Sequence, residues 1–377
     1  MSGIYLHIPF CKQACHYCDF HFSTNMEKKG PMIAALQTEL ELRKHEFEGE
    51  TVETIYFGGG TPSVLEIEEI AAILGTIHEC YTVVENAEVT LEANPDDLST
   101  AKISQLANSP INRLSIGVQS FDAEDLKLMN RAHNASEAMA CIEAARAVFD
   151  NISIDLIYGI PYMTNARWKQ NIDRALSFDV PHISSYALTV EPKTALAAYI
   201  KKGTVPPVDD SVAQEHFQIL IDTLEAAGYV HYETSNFGRP GFFSRNNTAY
   251  WQGKKYLGIG PSAHSYDGIR RGWNINNNPK YLRAIQAGLL PMETEILSKR
   301  DRYNEYVMTG LRTIWGVSLG RVLSEFGPKY LEYLLQQAEP HRQNHLLYLD
   351  GDTLLISKKG KFLADGIASD LFMVNLT

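Results

Sequence analysis

Over its first 230 residues the chain alternates extended runs with stretches of helical period. The extended runs lie at 4–8, 54–57, 88–92, 113–118, 152–158 and 182–188. Helical stretches fall at 26–47, 65–79, 99–107, 136–149 and 166–178, and another at 210–227 follows the sixth run. Strands joined through helices are too far apart along the chain for tight hairpins, so neighbours run parallel with right-handed crossovers. The alternation therefore predicts an α/β fold, with the parallel sheet either open or curled into a barrel. Several runs read as apolar on both faces, which predicts helices over one side and a packed interior on the other.

Polar and glycine-rich residues gather at one end of these units. Cys11–Cys18 follows the first run, Gly58-Gly59-Gly60-Thr61-Pro62 the second and Glu92-Ala93-Asn94-Pro95 the third. Gln119 closes the fourth, Asp155 lies within the fifth ahead of Gly159-Ile160-Pro161, and Tyr186-Ala187 lies within the sixth. Active sites of parallel α/β barrels are built at the carboxyl ends of their strands. Turn chemistry alone explains the glycines and prolines, but not three cysteines beside a repeated Glu92 and Gln119 placement.

There are five cysteines, an odd number and poor material for a disulfide framework. Cys80 and Cys141 stand alone in helical stretches and read as small buried hydrophobes. Cys11, Cys15 and Cys18 form a Cys-x3-Cys-x2-Cys group whose soft donors suit zinc or an iron–sulfur cluster. Structural zinc would need a fourth ligand, for which His7, His16 or His21 is at hand. Three cysteines on a cubane instead leave one iron open to a small molecule carrying an amine and a carboxylate.

A formal charge of −11 opposes an electrostatic hold on nucleic acid or anionic lipid. No apolar stretch nears the roughly 18 residues of a membrane span, and MSGIYLHIPF lacks the pattern of a secretion leader. A cytoplasmic location is expected. Three regions follow: the α/β unit over 1–236, an irregular Gly-, Asn- and aromatic-rich segment over 237–297 packed back on it, and a module over 298–377. The last reads as helices followed by a hairpin turning at Asp350-Gly351-Asp352, as in winged-helix domains. Its ten basic and nine acidic residues make no DNA-binding face.

The cysteine spacing after a strand resembles that of the radical S-adenosylmethionine superfamily, and Gly58–Pro62 strengthens the likeness. The resemblance implies a partial (β/α)6 barrel, a [4Fe-4S] cluster on Cys11, Cys15 and Cys18, and S-adenosylmethionine on the open iron. In that superfamily the reduced cluster cleaves the sulfonium to give a deoxyadenosyl radical. Within it, Tyr5-Leu6-His7-Ile8-Pro9-Phe10-Cys11, Tyr17-Cys18-Asp19-Phe20, Leu91–Pro95, Ser115–Phe121, Asn130-Arg131, Asp155–Pro161 and Gly310-Leu311-Arg312-Thr313 resemble the anaerobic coproporphyrinogen III oxidase family. That likeness implies Tyr5, Gly59, Gly60, Thr61 and Glu92 as cofactor contacts, with Tyr17 on the adenine edge. It places a second S-adenosylmethionine near Gln119, Arg131, Asp155 and Ala187.

Two departures separate this chain from the oxidases. Phe20 stands where they carry a further cysteine, and the first strand starts at residue 4 without their long leading segment. Both features are similar to the HemW-type heme chaperones, which bind heme, pass it to an acceptor protein and lack the decarboxylation. The resemblance thus implies heme as cargo, an acceptor, an electron donor for the cluster and a homodimer as one possible assembly. The alternative is the oxidase itself, a radical decarboxylase of porphyrin biosynthesis; a radical modifier of RNA is disfavoured by charge. The chaperones' His-Asn-x-x-Tyr-Trp motif appears as Asn246-Asn247-Thr248-Ala249-Tyr250-Trp251, ahead of a glycine-rich run ending at His264. Heme iron takes His, Cys, Met or Tyr, and an amide at 246 supplies none of these. This leaves Tyr250 or His264 as the ligand, or contact through Asn247, Tyr250 and Trp251 without one. A plain aromatic patch closing the barrel mouth is the competing reading of Tyr250-Trp251.

Overall fold

The structure, a computed structural model, describes residues 2–374; Met1 and the last three residues of the 298–377 module lie outside that range. Twelve strands make one sheet: β1 Ser2–Ile8, β2 Val52–Gly59, β3 Val83–Ala93, β4 Arg113–Gln119, β5 Ile152–Tyr158, β6 His182–Ala187, β7 Val230–Glu233, β8 Asn236–Gly238, β9 Lys255–Ile259, β10 His264–Tyr266, β11 Arg270–Asn274 and β12 Met292–Ile296. Their order is β12-β11-β10-β9-β1-β2-β3-β4-β5-β6-β8-β7. From β1 to β6 each strand pairs in parallel with the next, in register Tyr5 to Tyr56 and Tyr56 to Thr90. β12 and β7 end the sheet, so the barrel is partial.

The strands alternate more strictly than their composition suggests. In β1, Ile4, Leu6 and Ile8 are buried in the apolar core under the helices. The same holds for Val89 and Leu91 of β3, Leu114, Ile116 and Val118 of β4, and Ile152, Ile154 and Leu156 of β5. The intervening positions carry Tyr5, Glu88, Thr90, Glu92, Arg113, Ser115, Ser153 and Asp155 on the other face. The inner face is therefore polar, not the packed apolar interior expected. Period two explains it: a run such as Glu88–Glu92 puts both carboxylates and Thr90 on one side.

The helices take their positions from ordinary signals. Ile67–Cys80 opens on a Glu66/Glu69 capping box and buries Ile70, Ile73, Leu74 and Ile77. Their i, i+3, i+4, i+7 spacing makes one apolar stripe, each side chain worth about 1.5–3 kcal/mol on burial. The helix stops at extended Tyr81, whose hydroxyl donates to the Leu40 carbonyl at 2.9 Å and ties it to helix Lys29–Leu42.

Residues 237–297 differ from the expected irregular segment. They supply most of β8, all of β9 to β12 and two helices, Arg245–Trp251 and Asn278–Gln286. β9 pairs in parallel with β1 and carries the sheet past its first strand. Strands only three to five residues long and broken by glycines leave little period-two signal in the sequence. The last module has its own apolar cluster, including Tyr303, Val307, Leu311, Leu334 and Leu354. Its three strands, β13 Val317–Ser318, β14 Leu347–Asp350 and β15 Thr353–Ile356, lie in the order β13-β15-β14. The β14–β15 turn passes through Gly351 at φ +55°, where the sequence placed the hairpin.

Candidate functional site

Cys11 is buried directly after β1, and Cys15 and Cys18 are half-buried on the loop beyond it. All three are free thiols. Two of them receive hydrogen bonds: Thr61 Oγ1 donates to Cys11 Sγ at 3.2 Å, and Arg131 Nη1 donates to Cys15 Sγ at 3.3 Å. Such donors stabilise thiolate sulfur and suit an iron–sulfur cluster. Burial pushes Cys11 up to about 12 and Cys18 up to about 11, so these thiols hold their protons until a metal displaces them. Among the described residues no three His, Cys, Asp or Glu side chains converge as ligands of a single ion. Ligands to a cubane sit on different irons and need no such convergence.

The glycine loop after β2 closes on this cysteine loop. Gly60 and Thr61 amides donate to Ile8 and Phe10 carbonyls at 2.9 and 2.7 Å. A Cβ on Gly60 would stand 2.6 Å from the Phe10 carbonyl, and one on Gly59, at φ +106°, 2.7 Å from the His7 ring. These glycines are required by the chain's own packing.

Arg131 is tied in place. Besides Cys15 it donates to Asn94 Oδ1 at 2.6 Å and the Gly117 carbonyl at 2.7 Å, while its Nε is buried without a partner among the described residues. Gln119 ends β4 at φ +67°, its amide 3.0 Å from where a Cβ on Gly117 would lie. Tyr17 packs half-buried beside Cys15, and Ala187 sits exposed at the end of β6. Cys141 is buried as expected, whereas Cys80 is half-buried.

Two carboxylates occupy the inner face. Burial raises Glu92 to about 7, opposed by the Tyr56 hydroxyl, which donates at 2.8 Å. Asp155 is raised to about 6, again by burial, against hydroxyls including Ser115 at 3.1 Å. Tyr5 stacks on Tyr56 with ring centres 6.0 Å apart.

A cavity of about 710 Å³ runs inside the sheet from the Tyr5 and Glu92 level down to Gly3 and Thr54 near the amino ends of β1 and β2. That volume lies in the range that encloses ligands of several hundred daltons. Asn247, Tyr250, Trp251 and His264 all line it. The helix bearing the first three abuts the amino-terminal halves of β1 to β3: Thr54 Oγ1 donates to Asn246 Oδ1 at 3.1 Å, and Glu88 accepts from the Arg245 and Asn246 amides at 3.0 Å. The aromatic pair thus lies opposite the cysteine end rather than across the carboxyl-end mouth. Lys254, Lys255 and Arg271 line the same cavity, as do Glu92 and Glu233; Lys255 pairs with Glu50, and Arg271 with Glu295 and Glu305.

One contributor had no site signal in the sequence, and another stood there only as part of a family motif. Glu39, fully buried, accepts from the Arg43 guanidinium, the Gly260 amide at 2.8 Å, Asn274 Nδ2 at 2.7 Å and the Tyr281 hydroxyl at 2.6 Å. It fixes the glycine-rich turn before His264; its only sequence signal is an acid four residues ahead of Arg43 on a helix. Arg312 of the last module lies over the Trp251 ring at 5.6 Å and makes a two-pronged pair with Asp365 at 2.7 and 2.8 Å. Beside it, the Ile314 amide donates to the Tyr232 carbonyl at 3.0 Å, joining that module to β7.

Comparisons with known proteins find relatives over nearly the whole chain. A profile of the Radical SAM superfamily matches residues 5–175, and one of the HemN C-terminal domain matches 297–363. The heme chaperone HemW of Mycobacterium tuberculosis is 34% identical over 98% of this chain and 94% of its own length. The Bacillus subtilis protein of the same name is 33% identical over 97% of this chain and 100% of its own. The structure of the radical SAM coproporphyrinogen III oxidase HemN from Escherichia coli superposes with a TM-score of 0.85 at 23% identity, covering 99% of this chain and 90% of that one. At that identity the match speaks for the fold.

Proposed function

Because this chain belongs to the HemW family of the radical SAM superfamily, we propose that it is an iron–sulfur, S-adenosylmethionine-binding heme chaperone. Cys11, Cys15 and Cys18 would hold the [4Fe-4S] cluster, with Thr61 and Arg131 as donors to its sulfur ligands. When bound, the cluster supplies one-electron chemistry and an open coordination position, and an external reductant must recharge it. Tyr5, Tyr17 and the Gly59–Thr61 loop would frame S-adenosylmethionine, Glu92 taking its ammonium group. Gln119, Arg131, Asp155 and Ala187 would frame a second nucleotide position. No helix of the described residues is long and apolar enough to cross a membrane, and thiols that must stay reduced fit the cytoplasm.

The observation that carries the heme reading is the cavity itself. One side offers Tyr250 and Trp251 to a flat macrocycle, and Lys254 offers charge to its carboxylates. Phe20, 68% exposed on the cysteine loop, takes the place of the oxidases' extra cysteine. Anaerobically reconstituted protein titrated with heme is expected to show a saturable Soret change and no conversion of coproporphyrinogen III. Non-saturable heme uptake, or protoporphyrinogen formation, contradicts the reading. Lys254 has no side-chain partner among the described residues, so Lys254→Glu should weaken heme by about fivefold, the worth of one exposed charge contact near 1 kcal/mol.

The raised carboxyl of Glu92 sets a pH dependence for the other ligand. Below about 7 it gains a proton and loses its attraction for an ammonium group. S-adenosylmethionine affinity should therefore fall as pH drops from 8 to 6, and Glu92→Gln should bind weakly with a flat profile across that range. Equilibrium dialysis measures both; an unchanged profile in the variant assigns the titration elsewhere.

A further inference from the structure

Building on the heme-binding reading, we propose that His264 is the axial ligand to the heme iron, replacing the motif histidine whose place Asn246 occupies. Heme iron is held by imidazole, thiolate, thioether or phenolate donors. The cavity lining contains one histidine, His264, with no cysteine and no methionine. Its remaining candidates are phenols, each of which must first lose a proton whose ordinary pKa is near 10. Of these, Tyr56 is already committed to Glu92. Asn246 lines the cavity too, but its amide oxygen accepts the Thr54 hydroxyl and faces the wall.

His264 is presented differently. It is exposed to the cavity, and among the described residues neither ring nitrogen has a hydrogen-bond partner. Among the described residues its one ring contact is a tilted one with Trp273 at 6.4 Å. The backbone beneath it is held hard. A Cβ on Gly258 would stand 1.9 Å from the His264 carbonyl oxygen, Gly260 lies at φ +104°, and Ser262 adopts φ +66°. The Asn274 amide donates to Ala263 at 2.9 Å and the Gly258 amide to Ser265 Oγ at 2.9 Å, on either side of His264. A strained, glycine-dependent turn that aims a free imidazole into a cavity is the arrangement a ligand requires.

The test uses the anaerobically reconstituted full chain with ferric heme, followed by optical and electron paramagnetic resonance spectra. Wild type should show imidazole ligation. His264→Ala should lose that signature and bind heme at least about tenfold more weakly, free imidazole restoring the spectrum. Tyr250→Phe should keep the signature. Because the His264 side chain holds no partner, the variant should fold, and an unchanged far-ultraviolet circular dichroism spectrum checks this. His264→Gln, which also lacks a ligating nitrogen, should behave as the alanine variant does. Saturable binding with an unaltered spectrum in both His264 variants overturns the ligand assignment alone, as does loss of the signature in Tyr250→Phe. Absence of saturable heme binding in wild type overturns the reading on which it rests.

Discussion

Serine at Cys11, Cys15 or Cys18 is expected to bring the iron and sulfide content of anaerobically reconstituted protein down to background. Only three thiolates are offered, so each holds a corner with no spare to replace it. Cys11 is the least replaceable, being buried and bonded by the Thr61 hydroxyl. Burial raises Cys11 and Cys18 far above neutrality, so loading releases protons and should proceed more readily at pH 8 than at pH 6. Cys80→Ser and Cys141→Ser should retain full iron. Thr61→Val should keep the cluster but lower its reduction potential, since a hydrogen bond to sulfur favours the reduced, more negative state. Full iron in any one of the three serine variants removes that residue from the ligand set.

Glu39→Ala should cost about 3–5 kcal/mol of folding stability, the usual penalty for stripping one partner from a buried ion pair. The Arg43 guanidinium, only 1% exposed, would lose one of its two carboxylate partners, and three further donors would each lose an acceptor. Glu46 also binds Arg43, with Nε at 2.7 Å and Nη2 at 2.8 Å, and keeps the loss from being larger. The damage reaches the ligand cavity because Gly260 and Asn274 frame the turn that presents His264. Urea unfolding measures the stability, and heme titration of the surviving fold measures the second effect. A loss under about 1 kcal/mol would show that the network can be dispensed with.

The sequence made the β/α order readable because each unit has a full-length strand and an amphipathic helix. Helix Ile67–Cys80 was readable from its apolar spacing alone. It did not reveal the polar inner face, since Glu88, Thr90 and Glu92 are interleaved with Val89 and Leu91 and the run averages to apolar. Nor did it reveal β9 to β12, which are held by pairing to β1 and to one another more than by local preference. Cys11, Cys15 and Cys18 were legible because three soft donors in eight residues have few structural uses. Arg131 stood out only through its family motif; its bonds to Asn94, Gly117 and Cys15 were not legible, since these partners come from distant parts of the chain. The meeting of Tyr5 and Glu92 with Tyr250, Trp251 and His264 in one chamber depends on how residues 244–266 fold into the barrel. No local pattern encodes that.

Iron anomalous scattering from an anaerobic crystal of the heme-loaded protein would locate both irons relative to the chamber. Two features are predicted: a compact cluster beside Cys11, Cys15 and Cys18, and one separate iron within bonding distance of the His264 imidazole, its macrocycle against Tyr250 and Trp251. Heme iron on the outer surface with the chamber empty, or no cluster at the cysteines, would contradict this placement.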